Sequence, residues 1–379
     1  MKPGTCLRHV TYGHTIEYDV VNAPDLFDPQ NPALLSVGRT GNARRFVVLD
    51  ENVERHASPA IRDYFSSNGI EARIVTLPGG EEFKTLESYQ TVTRELDAFP
   101  IHRRDEPIIA IGGGVLTDVV GFVASTYRRG LPHLNVPTTL IGYVDAAIGV
   151  KTGVNFNGHK NRLGAFAPPL KVLLDRTFLR TLPRRHILNG VCEIIKLALI
   201  KDCELFDLLE AHAAESVEAR FQNDAGAVIL DRAIGGMLDE LQPNLLEEDL
   251  ARRMDFGHTF SYGLETRPEA GLLHGEAVLL DIGVSAFIAR ARALLSADDI
   301  ARIFHLIGAL GLPLDPGLLD PSLLWASLEE RTYHRNGLQR VPLPHRLGGC
   351  VFVNDITPDE IEAGIRLLQD RTAVQHDVT

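Results

Sequence analysis

Cysteine is scarce in this sequence, with four residues among 379. Cys6, Cys192, Cys203 and Cys350 show no C-x-x-C spacing and are too sparse for a disulfide framework. Reduced thiols are expected, which favours a cytoplasmic protein. The sequence also lacks an apolar run near the roughly 18 residues of a membrane span, and its N-terminus lacks the apolar core of a secretory signal. We therefore expect a soluble protein that is neither exported nor bound to a membrane.

Positive charge is in deficit as well. Lysine and arginine total 38 against 50 aspartates and glutamates, so the formal net charge is -12. Proteins that bind nucleic acid usually need a basic surface to neutralise phosphates. A nucleic-acid partner is therefore disfavoured, and an anionic small substrate would require a local basic pocket.

The sequence does contain two successive patterns of hydrophobic residues. Between about Arg45 and Asp175, strand-like segments alternate with amphipathic ones, which predicts β-α units around a mainly parallel sheet. The segments are RFVVLD, ARIVTLP, TLESYQTVTRELDAF and PIIAIGGG. Beyond Pro183 the period becomes 3.6 residues, in HILNGVCEIIKLALI, ESVEARFQNDAGAVILDRAIGGMLDEL and HGEAVLLDIGVSAFIARARALL. The predicted fold class is α/β, with an α/β domain over residues 1–181 and a mostly helical domain over 182–379.

Residues 145–169 have no clear periodicity and are rich in glycine, asparagine and lysine. A loop of this length inside a compact domain is usually functional or disordered. We predict a polar loop at the domain junction, where a ligand cleft would form.

Three glycines, Gly112, Gly113 and Gly114, follow the apolar segment IIAI and precede a helical segment that carries Asp118. Glycines let a pyrophosphate approach the backbone, and a helix N-terminus offers free N–H groups. The pattern is not G-x-G-x-x-G. A dinucleotide site and a tight turn without a ligand both fit it.

Two lysines and several amides lie in the segment that runs from Lys151 through Asn155 to Lys160 and Asn161. Lysine supplies a point charge and asparagine supplies directional donors, a combination that suits an oxyanion such as phosphate. A solvated basic loop is the alternative interpretation.

Glu193 and Lys196 share one face of an otherwise apolar helical segment. Their spacing fits a buried ion pair, or a metal ligand beside an anion-binding lysine. His258 and His274 each adjoin a glycine near the start of a helical segment. Two imidazoles and one carboxylate would form a catalytic metal site with open positions; a helix cap or a core histidine is the alternative.

Taken in order along the chain, these motifs resemble those of dehydroquinate synthase and the related sugar phosphate cyclases. The resemblance spans about Asp50 to His345 and is carried by GGGVLTDVVGFVASTYRRG, VPTTLIGYVDAAIGVKTGVNFNGHKNRLGAF, EIIK, GHTF and HGEAV. It implies a Rossmann-like NAD-binding domain, a helical metal-binding domain, a cleft between them, and a homodimer. It also implies bound NAD and a divalent metal, zinc or cobalt.

The resemblance implies a role for particular residues. The metal ligands would be Glu193, His258 and His274. Contacts to NAD would come from Asp50, Asn52, Glu82, Lys84, Gly113, Gly114, Asp118, Thr138, Thr139 and Thr181. Catalytic groups would be Asp145, Lys151, Lys196 and His258, with substrate contacts from Lys160 and Asn161. Arg129 would reach the phosphate site of the neighbouring subunit.

The implied chemistry is a redox cycle. A hydroxyl is oxidised, phosphate is eliminated, the ketone is reduced again and the opened ring closes by an intramolecular aldol reaction. NAD is unchanged overall.

Departures from dehydroquinate synthase narrow the substrate. Leu241 and His345 stand near positions where lysines are expected, and Asp255 stands where asparagine is expected, so a carboxylate would meet an extra anion. Tyr262 replaces a histidine, and the family's arginine aligns with either Arg252 or Arg253. The combination is similar to cyclases of sedoheptulose 7-phosphate, above all the 2-epi-5-epi-valiolone synthases. The 2-epi-valiolone and desmethyl-4-deoxygadusol synthases share that substrate and stay open as alternatives.

Two further classes compete with a cyclase. A polyol dehydrogenase would also combine three glycines, NAD and a metal, but a neutral polyol does not require the lysines at 151, 160 and 196. A non-catalytic sugar phosphate sensor would be expected to lack at least one of the three metal ligands. Dehydroquinate synthase itself is disfavoured by the departures at 241, 255 and 345.

Overall fold

The computed structural model describes residues 9–13, 15–38, 44–265, 267 and 271–376, with side chains to residue 373; Cys6 lies outside these ranges. The strands of the described part are β1 (Asp19–Asn22), β2 (Arg44–Asp50), β3 (Glu71–Leu77), β4 (Ile108–Gly112), β5 (His133–Pro137), β6 (Lys151–Phe156), β7 (His159–Phe166), β8 (Lys171–Leu174), β9 (Val341–Arg346) and β10 (Gly349–Val353). The helices are α1 (Glu51–Ser67), α2 (Leu86–Ala98), α3 (Gly114–Thr126), α4 (Arg184–Lys201), α5 (Cys203–Glu218), α6 (Asp224–Leu241), α7 (Ser261–Glu265), α8 (His274–Ala291), α9 (Ala297–Ala309), α10 (Pro321–His334) and α11 (Pro358–His376).

A six-stranded parallel sheet forms the first half of the fold, in the order β1-β8-β5-β4-β2-β3. Its central strands are buried and mainly apolar because helices cover both faces, and His133 and Asn135 of β5 are the buried polar exceptions in β4 and β5. In β2, Phe46 and Val48 pack into one core cluster, and Val47 and Leu49 pack into the cluster on the opposite face. The predicted β-α alternation is confirmed.

The chain changes direction within this sheet at β2. From β2 the chain passes through α1 to β3 on one side, and from β3 it passes through α2 to β4 on the other side of β2. The carboxyl ends of β2 and β4 therefore flank a topological switch point, where open α/β sheets bind their ligands.

Helices dominate the second half, as predicted. α8 is buried from Gly275 to Ala289, and α4 is almost wholly buried from Ile187 to Ile200. The predicted segment ESVEARFQNDAGAVILDRAIGGMLDEL is two helices rather than one, because Arg220 and Phe221 adopt positive φ and the Asn223 side chain caps the next helix. No helix in the described ranges is long and apolar enough to span a membrane. The boundary at residues 181 and 182 stays a prediction.

The prediction of a loop over residues 145–169 was wrong for most of that range. Strands β6 and β7 pair as an antiparallel hairpin, preceded by a helical turn over Gly142–Ala146. Asn157 and Gly158 both have positive φ, as the Asn-Gly dipeptide of a tight hairpin turn requires. Gly153 faces Gly164, where a Cβ would approach the opposite backbone to 2.3–2.5 Å. The Asn157-Gly158 pair was the signal that the sequence offered.

Candidate active site

The switch point carries the glycines predicted to bind a dinucleotide. Gly113 precedes α3 without any side-chain cap, so the first backbone N–H groups of that helix face the crevice unpaired by a side chain. A Cβ on Gly112 would lie 3.1 Å from the Cβ of Asp50, and one on Gly114 would lie 2.9 Å from that of Ala146. Close packing therefore excludes larger residues here, and the free amides suit a pyrophosphate.

The predicted NAD contacts cluster partly around this crevice. Asn52 donates from its backbone N and its side chain to Asp50, at 2.8 and 3.0 Å. Thr138 N donates to Gly112 O at 2.9 Å, and a Cβ on Gly113 would lie 3.0 Å from Thr139. These residues meet at the ends of three neighbouring strands, β2, β4 and β5.

The remaining predicted NAD contacts divide into two groups. Lys84 is buried and donates to Asp118 and to Asn161, both at 2.5 Å, which ties α3 to the hairpin. Glu82 is exposed, and Thr181 donates to Phe178 O within its own turn. The NAD-binding roles of all these residues stay predictions.

The three predicted metal ligands converge, although they come from separate elements. Glu193 lies on α4, His258 in the loop before α7, and His274 at the first position of α8. Glu193 Oε1 lies 3.0 Å from His274 Nε2 and 3.7 Å from His258 Nε2, and the two Nε2 atoms are 3.3 Å apart. All three ligand atoms lie within 4.8 Å of one another. The cluster is compact enough for one ion to contact all three.

Hydrogen bonds on the far sides of the imidazoles decide which nitrogens face the cluster. His258 Nδ1 donates to Phe256 O at 3.1 Å, and His274 Nδ1 donates to Glu265 Oε2 at 2.9 Å. When both imidazoles are neutral, the hydrogens on their Nδ1 atoms leave lone pairs on both Nε2 atoms. Two lone pairs and a carboxylate oxygen aimed at one another repel unless a metal ion or a proton lies between them. The donor set therefore fits a divalent metal such as zinc.

Lys196 and Asp145 lie directly beside this cluster. Lys196 Nζ is 2.5 Å from Glu193 Oε2 and 3.8 Å from Asp145 Oδ2, and its side chain is 2% exposed. The pair is therefore a buried ion pair that also adjoins the cluster of predicted ligands, and the roles of Glu193 as a metal ligand and of Lys196 as an anion-binding group stay predictions. Burial opposes charge on Glu193, but Lys196 and His258 outweigh it and hold the pKa of this carboxyl well below its usual range.

The charges around the two histidines shift their pKa values in opposite directions. Burial, reinforced by Lys196, lowers the pKa of His258 to about 3. Burial also acts against protonation of His274, but Glu265 and Glu193 outweigh it and raise its pKa to about 10. The pocket thus attracts positive charge at the position of His274.

Three of the residues predicted to bind or act on the substrate lie on the hairpin, and each is paired with a different group. Lys160 Nζ contacts Glu265 at 2.9 Å, whereas Lys151 Nζ contacts Glu247 at 2.5 Å and is 63% exposed. Asn161 accepts from Lys84. Arg129 is exposed beyond the end of α3, with a φ of +64°. Their roles stay predictions.

Asp255 corrects one part of the sequence argument. It is not the free anion expected there, because Arg252 Nη2 donates to its Oδ1 at 2.7 Å and Arg335 Nη2 donates to its Oδ2 at 2.8 Å. These cations outweigh burial and lower the pKa of Asp255 to about 2. The structure also separates the two candidate arginines, since Arg253 is turned away to pair with Glu240 at 3.2 Å.

The other residues that differ from those expected in dehydroquinate synthase lie on three separate elements. Leu241 ends α6 and His345 lies in β9, both half-buried. Tyr262 lies on α7, with its hydroxyl 3.5 Å from His159 Nδ1 of the hairpin.

Three carboxylates that structure the site were missed from the sequence. Glu247 pairs with Lys151, Glu265 pairs with Lys160 and His274, and Asp281 accepts from the backbone of Phe260 at 2.5 Å. Asp281 lies on α8 seven residues after His274, so both project from one face of the helix. That spacing was the signal in the sequence, and it indicates that α8 carries one predicted metal ligand and also fixes the loop that carries another.

Comparison with known proteins identifies the family of the chain. The family model of the 3-dehydroquinate synthase N-terminal domain matches residues 74–189, and that of the 3-dehydroquinate synthase C-terminal domain matches residues 190–330. The chain belongs to the 3-dehydroquinate synthase family. The resemblance and the fold class predicted from the sequence are confirmed.

Individual relatives within the family are more specific. A 2-epi-5-epi-valiolone synthase of Streptomyces albus is 50% identical over 94% of this chain and 88% of its own length. One of Actinoplanes sp. is 49% identical over 94% of this chain and 92% of its own. The solved structure of the 2-epi-5-epi-valiolone synthase ValA of Streptomyces hygroscopicus subsp. jinggangensis 5008, with NAD+ and Zn2+ bound, matches with a TM-score of 0.92 at 44% identity. It covers 96% of this chain and 100% of that one.

Proposed function

We propose that this protein is a 2-epi-5-epi-valiolone synthase that uses NAD and a divalent metal, zinc or cobalt. It would act as a phosphate-eliminating lyase that cyclises sedoheptulose 7-phosphate to a C7-cyclitol. The observation that carries the proposal is the convergence of Glu193, His258 and His274, in a chain 50% identical over 94% of its length to a synthase of that name. A cytoplasmic location is part of the proposal.

The residues fit both cofactors. Glu193, His258 and His274 would hold the metal, and the amides after Gly113 with Asp50 and Asn52 would hold NAD. When bound, NAD exchanges a hydride with the substrate and the metal polarises the reacting oxygen.

The side chains beside the cluster have separate tasks. Lys196 would place a positive charge next to an oxygen on which negative charge develops. Desolvation raises the pKa of Asp145 against the opposing effect of Lys196, so this carboxyl is suited to hold a proton. Lys151, Lys160 and Asn161 would bind the phosphate and stabilise it as it leaves.

The Asp255 network supports a substrate without a carboxylate. Arg335 is buried and Arg252 is partly buried, and both donate to Asp255. A substrate carboxylate would have to displace a buried ion pair to reach them, which costs free energy. Leu241 brings no charge, and His345 brings only a conditional one. 3-Dehydroquinate synthesis is therefore the weaker alternative.

The 2-epi-valiolone and desmethyl-4-deoxygadusol synthases would use the same sugar phosphate, so this site does not separate them from the proposed enzyme. A polyol dehydrogenase is disfavoured by Lys160 and Lys196, which a neutral substrate does not require. A non-catalytic sensor would not need the converging metal ligands.

A homodimer with a shared site is a further part of the proposal. Arg128, Arg129 and Gly130 have φ values of +49°, +64° and +109°, and Arg103 donates to Arg129 O at 2.9 Å. Positive φ at two successive arginines costs free energy, so a function that projects Arg129 outward is supported. Mixing Arg129→Ala with Lys151→Ala subunits should restore activity in hybrid dimers. No recovery after verified subunit exchange would contradict a shared site.

The decisive experiment is to incubate the metal-loaded protein and NAD with sedoheptulose 7-phosphate or with the precursor of dehydroquinate. Phosphate release only from the heptulose, without accumulation of NADH, is expected. The NMR couplings of the product then distinguish the three heptulose cyclases. Release from the carboxylated sugar would identify a divergent dehydroquinate synthase, and accumulation of NADH with a ketone would identify a dehydrogenase.

A further inference from the structure

A single carboxylate oxygen connects the hairpin to the metal-ligand cluster. Glu265 Oε2 accepts from Lys160 Nζ at 2.9 Å and from His274 Nδ1 at 2.9 Å. The other oxygen of Glu265 accepts from Ser261 Oγ at 3.3 Å. Lys160 and His274 therefore share the same acceptor atom.

The groups around Glu265 make its carboxylate depend on these two donors. The Glu265 side chain is 9% exposed, so water offers it little compensation. Lys160 is 18% exposed and has a second acid, Glu81, at 3.6 Å on its other side. His274 Nδ1 and Lys160 Nζ both lie 2.9 Å from Oε2, so the two donors share the negative charge of the carboxylate.

This division matters for the metal because a carboxylate that accepts from a ligating imidazole makes the imidazole a better ligand. When Lys160 also contacts Oε2, it withdraws part of that negative charge. An anion that draws Lys160 toward itself would leave Oε2 to His274 alone. The imidazole would then bind the metal more tightly.

We propose that Glu265 is a positioning residue that couples anion binding at Lys160 to metal affinity at His274. The inference rests on the proposed function only in taking Lys160 as an anion-binding group. Because coupling between two sites is reciprocal, the metal should equally strengthen anion binding. Occupation of the phosphate site and tight metal binding would then support each other.

The test measures Co2+ affinity of the full-length protein by chelator competition, with and without inorganic phosphate. In the parent protein, phosphate should raise Co2+ affinity about fivefold or more. Glu265→Gln should weaken Co2+ binding about 10–100-fold and remove the phosphate effect. Lys160→Met should bind Co2+ more tightly than the parent and should also lose the phosphate effect.

A second ion pair in the chain supplies matched controls. Lys201 and Glu240 lie 2.9 Å apart with side chains 18% and 17% exposed, so Lys201→Met and Glu240→Gln remove similar charges away from the cluster. Both should leave Co2+ affinity and the phosphate effect unchanged. If Glu265→Gln fails to fold, Lys160→Met tests the same coupling.

Unchanged Co2+ affinity in Glu265→Gln, or a phosphate effect that persists in Lys160→Met, would overturn the inference. These measurements do not involve turnover. Coupling in a protein that makes no cyclitol would refute the proposed function alone, whereas normal cyclisation without coupling would refute only the role of Glu265.

Discussion

The two parts of the candidate site, the crevice at the sheet and the charged cluster at the helices, are formed by different chemical groups. At the sheet, the crevice between β2 and β4 is formed by backbone amides, glycines and short side chains such as Thr139. At the helices, the cluster is formed by the buried pair of Glu193 and Lys196 and by partly buried titratable groups at distances of 2.5–3.8 Å from them. A substitution at the sheet should therefore act through shape, and one at the helices should act through charge.

Removing a ligand from the charged end should have the largest effect. His274→Ala should lose bound metal and lower kcat/KM at least about 10³-fold, because several kcal/mol of charge stabilisation depend on the metal. Metal analysis and a phosphate-release assay on one preparation test both losses together. The exposed His212 provides the control His212→Ala, which should retain both. Full activity in a metal-free His274→Ala protein would refute the metal assignment.

Removing the buried cation Lys196 tests the charged cluster through its effect on the free energy of unfolding. Lys196→Met should lower the free energy of unfolding by about 3–5 kcal/mol, because Glu193 and Asp145 lose a buried partner. Denaturant unfolding measures this loss. Lys171→Met removes a more exposed lysine 3.7 Å from Asp19 and should cost at most about 1 kcal/mol. Equal losses in the two variants would show that the buried charges do not depend on one another.

Asp281 provides a contrast to the ion-paired charges around Glu193. Its carboxylate accepts hydrogen bonds but forms no ion pair in the described part of the chain. Burial raises its pKa from 3.8 to about 6. Its contribution to stability is therefore fully present below pH 3.8 and is lost as the pH rises through about 6, which amounts to about 3 kcal/mol. Asp281→Asn stays neutral and keeps an acceptor oxygen. From pH 4 to pH 7, the variant should gain about 2 kcal/mol over the parent in denaturant unfolding. A difference that does not change with pH would show that Asp281 titrates normally.

The difference between the crevice at the sheet and the charged cluster at the helices also explains which parts of the site could be predicted from the sequence. The strand β4, the three glycines and α3 are contiguous, so hydrophobic patterning and turn chemistry predict them together. The residue types of the metal cluster could be named, but their convergence could not, because Glu193 and His274 are 81 positions apart. Asp255 was misjudged for the same reason, since its partner Arg335 is 80 positions away. Periodicity identifies the buried face of a helix but not the distant atoms that meet it.

The smallest expected effect tests the backbone-built end. In Gly114→Ala, the new Cβ would lie 2.9 Å from the Cβ of Ala146, which has no flexible end to move aside. The start of α3 must shift, and NAD should bind about tenfold more weakly, equivalent to about 1.4 kcal/mol. Gly235→Ala is the matched control, because Gly235 is also helical but has no neighbouring atom within 4 Å of the new Cβ. Calorimetric titration with NAD measures both variants. If Gly114→Ala binds NAD as tightly as the parent, the α3 amides do not hold the cofactor, and this end of the site would also have to depend on side chains such as Asp50.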